Sequence, residues 1–146
     1  MEAARIRRMT IDDVEQISRI YVAITQKPVR DDFKTLVEKH ALSTHDACFV
    51  AEVDGKVVGF MISYILTLGF GIEKSAWIAT LGVDPAFWGQ GIGADIAREV
   101  FAIYKDAGIT NVYTSVRWDS TDLLSFFKTL GFNRSNFINL RKVLED

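Results

Sequence analysis

The chain has 146 residues, 49% of them apolar and 25% charged, with a formal net charge of −2. That length holds one domain with a full core, and the composition is that of a globular protein, not a disordered or fibrous one. A balance so near neutrality gives no reason to expect nucleic acid or an acidic membrane as the main partner. The arginines among residues 1–10 have no apolar run behind them, so no signal peptide is visible. The longest apolar stretch, 57–70, is interrupted by Gly59, Ser63, Thr67 and Gly69 and is too short to span a bilayer. Cys48 is the single cysteine, which excludes an internal disulfide. Within Cys48-Phe49-Val50 it is expected as a small core residue, and the cytoplasm is the default location.

Residues 6–9 are expected as a first strand, and Thr10 then caps a helix whose Asp12 and Asp13 suit the positive end of the dipole. Its apolar stripe is Ile11, Val14, Ile17, Ile20, Tyr21 and Ile24, and Lys27-Pro28 closes the segment. A second helix is expected over Asp31–Ala41, with Phe33, Leu36, Val37 and His40 inward. His40 and His45 have acids nearby but not the spacing of metal ligands, so no metal is expected. Phe49–Val53 and Lys56–Leu66 read as strands joined at Asp54-Gly55, a strong hairpin signal. Residues 68–75 should turn the chain into the next strand, where Phe70 is either a substrate contact or a core aromatic. Residues 77–83 form that strand, ended by Asp84-Pro85 because proline has no N–H for a ladder.

Gly89, Gly91 and Gly93 then alternate with Gln90 and Ile92 before a helix in which Ile92, Ile96, Ala97, Val100, Phe101 and Tyr104 share one face. Alternate glycines at a helix start let backbone approach an anion, at which the first N–H groups and the dipole point. A nucleotide P-loop needs Lys-Ser/Thr after its last glycine, and Ala94-Asp95 stands there. Gly89-x-Gly91-x-x-Ala94 satisfies the dinucleotide fingerprint in form. However, residues 84–88 separate it from the strand, and Tyr113-Thr114-Ser115 stands where an acid belongs. After Gly108, residues 112–118 are the next strand, and Ser120 caps a helix with Leu123, Leu124, Phe126, Phe127 and Leu130 inward. Residues 137–143 are expected as a final strand, with 132–134 as an optional extra one.

Leu81-Gly82-Val83-Asp84-Pro85 followed by Trp88-Gly89-Gln90-Gly91-Ile92-Gly93 resembles the acyl-CoA loop of the GNAT superfamily of N-acetyltransferases. That pattern is Arg/Gln-x-x-Gly-x-Gly/Ala after a strand ending Leu-x-Val-x-Pro, and Trp88 alone departs from it. Phe126-Phe127-Lys128-Thr129-Leu130-Gly131-Phe132 resembles the superfamily's second signature, Leu-Tyr-x-x-x-Gly-Phe. The resemblance covers nearly the whole chain and implies a single α/β (α+β) domain. Its mixed, mostly antiparallel sheet would splay at the cofactor site, with helices flanking it. It implies acetyl-CoA as co-substrate, no metal, and a primary amine of a small molecule or protein N-terminus as acceptor. The implied cofactor contacts are Leu81, Gly82, Val83, Trp88, Gly89, Gln90, Gly91, Ile92, Gly93, Ala94, Ser120 and Phe127. Backbone of Leu81 and Val83 would bond the pantetheine arm as an added strand, and the amides of residues 89–94 would hold the pyrophosphate. Relatives often dimerise, so a homodimer is an option that the sequence does not fix.

Acetyl transfer to an amine requires a neutral amine, a polarised thioester carbonyl and, in many enzymes, a proton for the departing thiolate. Val83 is the candidate N–H donor to the carbonyl, at a β-bulge. In the closest-looking branch, the ribosomal-protein N-terminal acetyltransferases, a Glu, an Asn and a Tyr stand where this chain has Ser115, Ser120 and Phe127. All three departures fall on polar positions, while the packing residues of that branch are kept. Glu73, Tyr64 and Tyr113 are other acids and phenols that could serve, each more readily structural than catalytic. No catalytic acid or base is assigned, and a non-catalytic acyl-CoA-binding module is the competing reading.

Overall fold

The computed structural model describes residues 3–43, 46–67 and 73–145. It forms two units, Met1–Ser115 and Val116–Asp146. The first unit contains β1 (Arg5–Arg8), α1 (Val14–Thr25), α2 (Asp31–Ala41), β2 (Phe49–Val53), β3 (Lys56–Leu66), β4 (Ser75–Val83), α3 (Ile92–Asp106) and β5 (Val112–Thr114). Among the described residues its strands make one sheet in the order β1-β2-β3-β4-β5. Every pairing is antiparallel except β4 with β5, whose parallel register needs the crossover that α3 provides.

β3 reads as a near-continuous apolar run because helices cover both faces of the sheet. On one face Val14, Ile17 and Ile20 of α1 and Val37 of α2 pack with Val50, Phe60 and Ile62. On the other, α3 buries Ile92, Ile96, Ala97, Val100 and Tyr104. Each such aliphatic side chain contributes about 1.5–3 kcal/mol when fully buried. Gly59 lets α3 approach, since a Cβ there would sit 3.2 Å from Ile92 Cγ2 and 3.3 Å from Ile96 Cδ1.

The Asp54-Gly55 hairpin forms as expected, with φ of 52° and 77°, the pair of left-handed residues that a two-residue turn between twisted strands requires. The helix expected from Thr10 begins instead with a 3-10 turn, Ile11–Asp13. There Asp13 is buried, not simply facing the dipole. Its carboxylate accepts two bonds from the Arg7 guanidinium, at 2.9 and 2.8 Å, and the Thr10 N–H at 2.7 Å. Arg7 also donates to Glu52 at 3.1 Å, tying β1, β2 and the start of α1 together. Ile11 and Ile24, at the ends of the expected stripe, are half exposed.

Several expectations fail, among them the inward placement of Leu123 and Leu124, which are exposed. The strand expected over 112–118 stops at Thr114, and 132–134 and 137–143 form no strand. Alternating side chains say which residues would share a face, but a strand also needs partner backbone. Within the second unit α4 (Thr121–Thr129) is the one regular element among the described residues. Residues 137–144 leave Ile138 and Leu140 exposed at 85% and 92%. Phe70, with most of the 68–75 turn, and His45 lie outside the described residues. Among the described residues no helix is long and apolar enough to cross a membrane.

Candidate functional site

The site is built on the second half of β4. β5 pairs with β4 only at Ala76, Trp77 and Ile78, and there Thr114 Oγ1 donates to the Ile78 carbonyl at 3.1 Å. Immediately beyond, the β3–β4 register slips so that Ile62 faces Thr80 while Ser63 faces Ile78, leaving Ala79 as an exposed bulge. A bulge of this kind bends its strand and increases its twist. β5 itself ends at Thr114, so the β4–β5 pairing ends with that strand. The bulge itself is at Ala79, not beside Val83, which stays in register with Gly59.

The remaining stretch, Thr80 to Val83, is paired to β3 along one edge. Asp84 donates its N–H to the Val58 carbonyl at 2.8 Å, and Phe60 lies opposite Gly82. Antiparallel alternation therefore aims the N–H and C=O of Gly82 at β3 and turns those of Leu81 and Val83 to the other edge. Gly82 is needed here for room: a Cβ would lie 2.9 Å from both Ile24 Cδ1 and Phe60 Cε1. Leu81 and Val83 are half buried and Gly82 is buried.

Asp84 closes the strand. Its carboxylate accepts the Ala86 N–H at 3.0 Å and its carbonyl the Phe87 N–H at 2.8 Å, shaping the short turn Pro85–Phe87. Trp88 follows, 60% exposed, and its indole N–H donates to the Val83 carbonyl at 2.7 Å. Gly89 and Gly91 hold φ of +81° and +78°, and a Cβ on either would meet nothing within 4 Å. These glycines serve conformation, not space, and the volume beside them is open. Gly91 precedes α3, whose first bond runs from the Asp95 N–H to the Gly91 carbonyl at 3.0 Å. The N–H groups before Asp95 consequently have no partner within the helix. Gln90 is exposed, Gly93 and Ala94 are half buried, and Ile92 is buried, anchoring the helix start in the core. An open backbone edge thus runs into a glycine loop at a helix N-terminus, a fit for a ligand with an amide-bearing arm and an anionic group.

The other predicted residues divide. Ser120 and Phe127 belong to the second unit. Ser120 accepts the Leu124 N–H on its carbonyl at 3.0 Å, but its side chain makes no capping bond. Phe127 is buried, edge-on to Phe126 and Phe132 at 5.3 and 5.1 Å. Glu73 is exposed and lies at the opposite end of β4 from Val83, on the order of 30 Å along the strand. Tyr113 stacks on Trp77 at 4.9 Å, and Tyr64 lies 6.1 Å from the ring of buried His40. His40 pairs with Asp46 at 3.2 Å, and Asp46 in turn accepts the Ile65 N–H at 3.0 Å. Cys48 is a core residue as expected. Burial pushes its thiol up to about 11, so it stays protonated at neutral pH.

Sequence reasoning missed two features. Tyr104, read as part of an apolar stripe, is buried with its hydroxyl accepting the Ala47 N–H at 3.0 Å and bonded to Ser63 Oγ at 2.6 Å. Burial raises its phenol above the ordinary value, so it stays protonated at neutral pH and bridges Ala47 and Ser63 as a neutral hydroxyl. The Trp88–Val83 bond has no sequence signal at all, whereas Asp84-Pro85 is a recognisable turn signal.

The chain belongs to the Acetyltransferase (GNAT) family, whose model matches residues 14–132. It is 30% identical over 145 residues to an uncharacterized N-acetyltransferase of Methanocaldococcus jannaschii, covering 91% of this chain. It is 34% identical over 92 residues to the N-alpha-acetyltransferase RimI of Mycobacterium tuberculosis, covering 63% of this chain. The matches span 62% and 55% of the lengths of those two relatives. Among solved structures, AAC(6')-Iy in complex with the bisubstrate analog CoA-S-monomethyl-acetylneamine has the same fold. It gives a TM-score of 0.79 at 20% identity, with 98% of this chain and 100% of that one covered.

Proposed function

We propose that this chain is an acetyl-CoA-dependent N-acetyltransferase working as one domain in the cytoplasm, without a metal. Its acceptor is the primary amine of a small molecule or a protein N-terminus. The observation that carries this reading is the outward edge of Leu81 and Val83 running into Gly89 and Gly91 at the start of α3. Family membership supports it, as do an N-alpha-acetyltransferase among the relatives and a structural neighbour that binds a CoA–aminoglycoside bisubstrate analog.

Acetyl-CoA would bring an activated thioester. The chain's part is to bind and orient it. Leu81 and Val83 offer N–H and C=O groups to the pantetheine arm in the manner of an added strand, and the amides of residues 89–94 receive the pyrophosphate. The same outward N–H groups are the backbone donors that can polarise a carbonyl. Ser120 and Phe127 keep the cofactor-binding assignment that the sequence pattern gives them. An α-amine, with a pKa of about 7.7–8.0, needs less help to become neutral than a lysine near about 10.4, which favours acceptors of low basicity in a site without an assigned base.

The second reading, a catalytically weak acyl-CoA-binding module, draws on Phe127, a buried ring with no proton to give. Thermal unfolding with acetyl-CoA, with NADH as control, tests the cofactor. At about 100 times its dissociation constant a ligand adds about 2.7 kcal/mol, a rise of several degrees. A rise with acetyl-CoA alone supports both acyl-CoA readings, and thiol release across an amine panel then separates them. No rise at millimolar acetyl-CoA rejects both.

A further inference from the structure

Trp88 replaces the polar residue of the family pattern, and its side chain is neither idle nor buried. The indole N–H reaches back across the Pro85–Phe87 turn to the carbonyl of Val83 at 2.7 Å, while the residue stays 60% exposed. That bond is the polar contact that ties the indole to the strand. The carbonyl it holds is one of the outward groups that β3 leaves to the open edge of β4. A carbonyl oxygen can take a second donor, but the bicyclic ring that brings the first stands on the same edge. The ring is carried at the entry to a loop whose next residue, Gly89, holds φ +81°.

We propose that the Trp88 indole is a displaceable latch: it occupies the Val83 carbonyl in the free protein and yields it to an amide N–H of the pantetheine arm. This rests on the acyl-CoA reading of the site and adds a residue that lowers cofactor affinity by competing for a backbone acceptor. An exposed side chain changes rotamer rapidly, so the latch affects affinity and not the speed of entry. Its net strength is that of one hydrogen bond exchanged for another donor or for water.

The test is calorimetric titration of CoA into the full chain and into W88F, which keeps an aromatic ring and loses the N–H. W88F should bind CoA about two- to tenfold more tightly, the fold-change equivalent to one net hydrogen bond. Tryptophan emission gives a second readout, since Trp77 and Trp118 remain in W88F. The change on adding CoA should be larger in the wild type, where Trp88 is released. Equal or weaker binding by W88F, or an equal emission change in the two proteins, overturns the latch and leaves the acyl-CoA reading standing. Failure of both proteins to bind CoA at millimolar concentration overturns the reading itself, and the latch with it.

Discussion

Gly82 and Gly91 lie nine positions apart and are glycine for opposite reasons. At Gly82 an added methyl would run into Ile24 and Phe60 at 2.9 Å; at Gly91 it would meet nothing within 4 Å, but φ is +78°. The first belongs to a region specified by side-chain volume, where α1 lies close on the sheet. The second belongs to a region specified by backbone conformation, where the chain must present its own N–H groups to open space. Side-chain identity matters in the first and matters much less in the second. That is why Trp88 can replace the family's Arg or Gln without removing the groups that the site is built from.

The largest expected effect tests how firmly the N-terminal end of α1, the helix whose Ile24 packs near Gly82, is held. Burial alone would push the Asp13 carboxyl up, but the Arg7 guanidinium and the Thr10 N–H outweigh it and hold the group below its ordinary 3.8. A carboxyl lowered on folding contributes stability above its unfolded value, and that contribution is lost as pH falls through the folded value. Asp13→Asn should therefore cost about 1.5–3 kcal/mol at pH 7, the range for hydrogen bonds to a charged group. The difference from wild type should shrink below about pH 3.8 as the native carboxylate becomes protonated. Urea midpoints at pH 7 and pH 3 measure both. A variant with the wild-type acid slope would show that the pair does not anchor α1.

Gly82→Ala comes next, at about 1–3 kcal/mol, the usual cost of overpacking a filled core. Ile24 is half exposed and its terminal methyl can yield, but Phe60 is 3% exposed and wedged in the core. The urea midpoint should fall with an unchanged slope. No loss of stability would mean that Gly82 is not there for room and would remove one side of the comparison.

How legible each region was follows the same division. The α2 bounds, the Asp54-Gly55 hairpin and the glycine loop are local patterns, and they stand where the sequence placed them. The Arg7–Asp13–Glu52 cluster and the Tyr104–Ser63–Ala47 bridge join residues up to 57 positions apart, and no local period encodes such partners. The bulge expected at Val83 falls instead on Ala79, where register and not residue type decides. The strand expected over 137–143 has the alternation of side chains but does not form, since alternation alone does not specify a backbone partner. Trp88 was visible as a departure from a pattern, and its role was not, because that role is one contact between a side chain and a carbonyl five residues back.

Gly91→Ala carries the smallest cost to stability and the sharpest test of the loop. A left-handed conformation costs an L-residue about 1–2 kcal/mol, and no clash adds to it here. Alanine can avoid that cost by leaving the left-handed region, which would re-aim the N–H groups at the start of α3. CoA affinity should consequently fall by a larger factor than the stability loss implies. Gly91→Asn separates strain from geometry, because asparagine tolerates positive φ far better than alanine. Asn at this position should recover most of the melting temperature and most of the CoA binding. If Gly91→Ala bound CoA like wild type, the N–H groups would not be the binding element, and the loop would be a simple turn. If Asn recovered stability but not binding, the open space beside the loop would be the requirement instead, since only the side chain's bulk would then distinguish it from glycine.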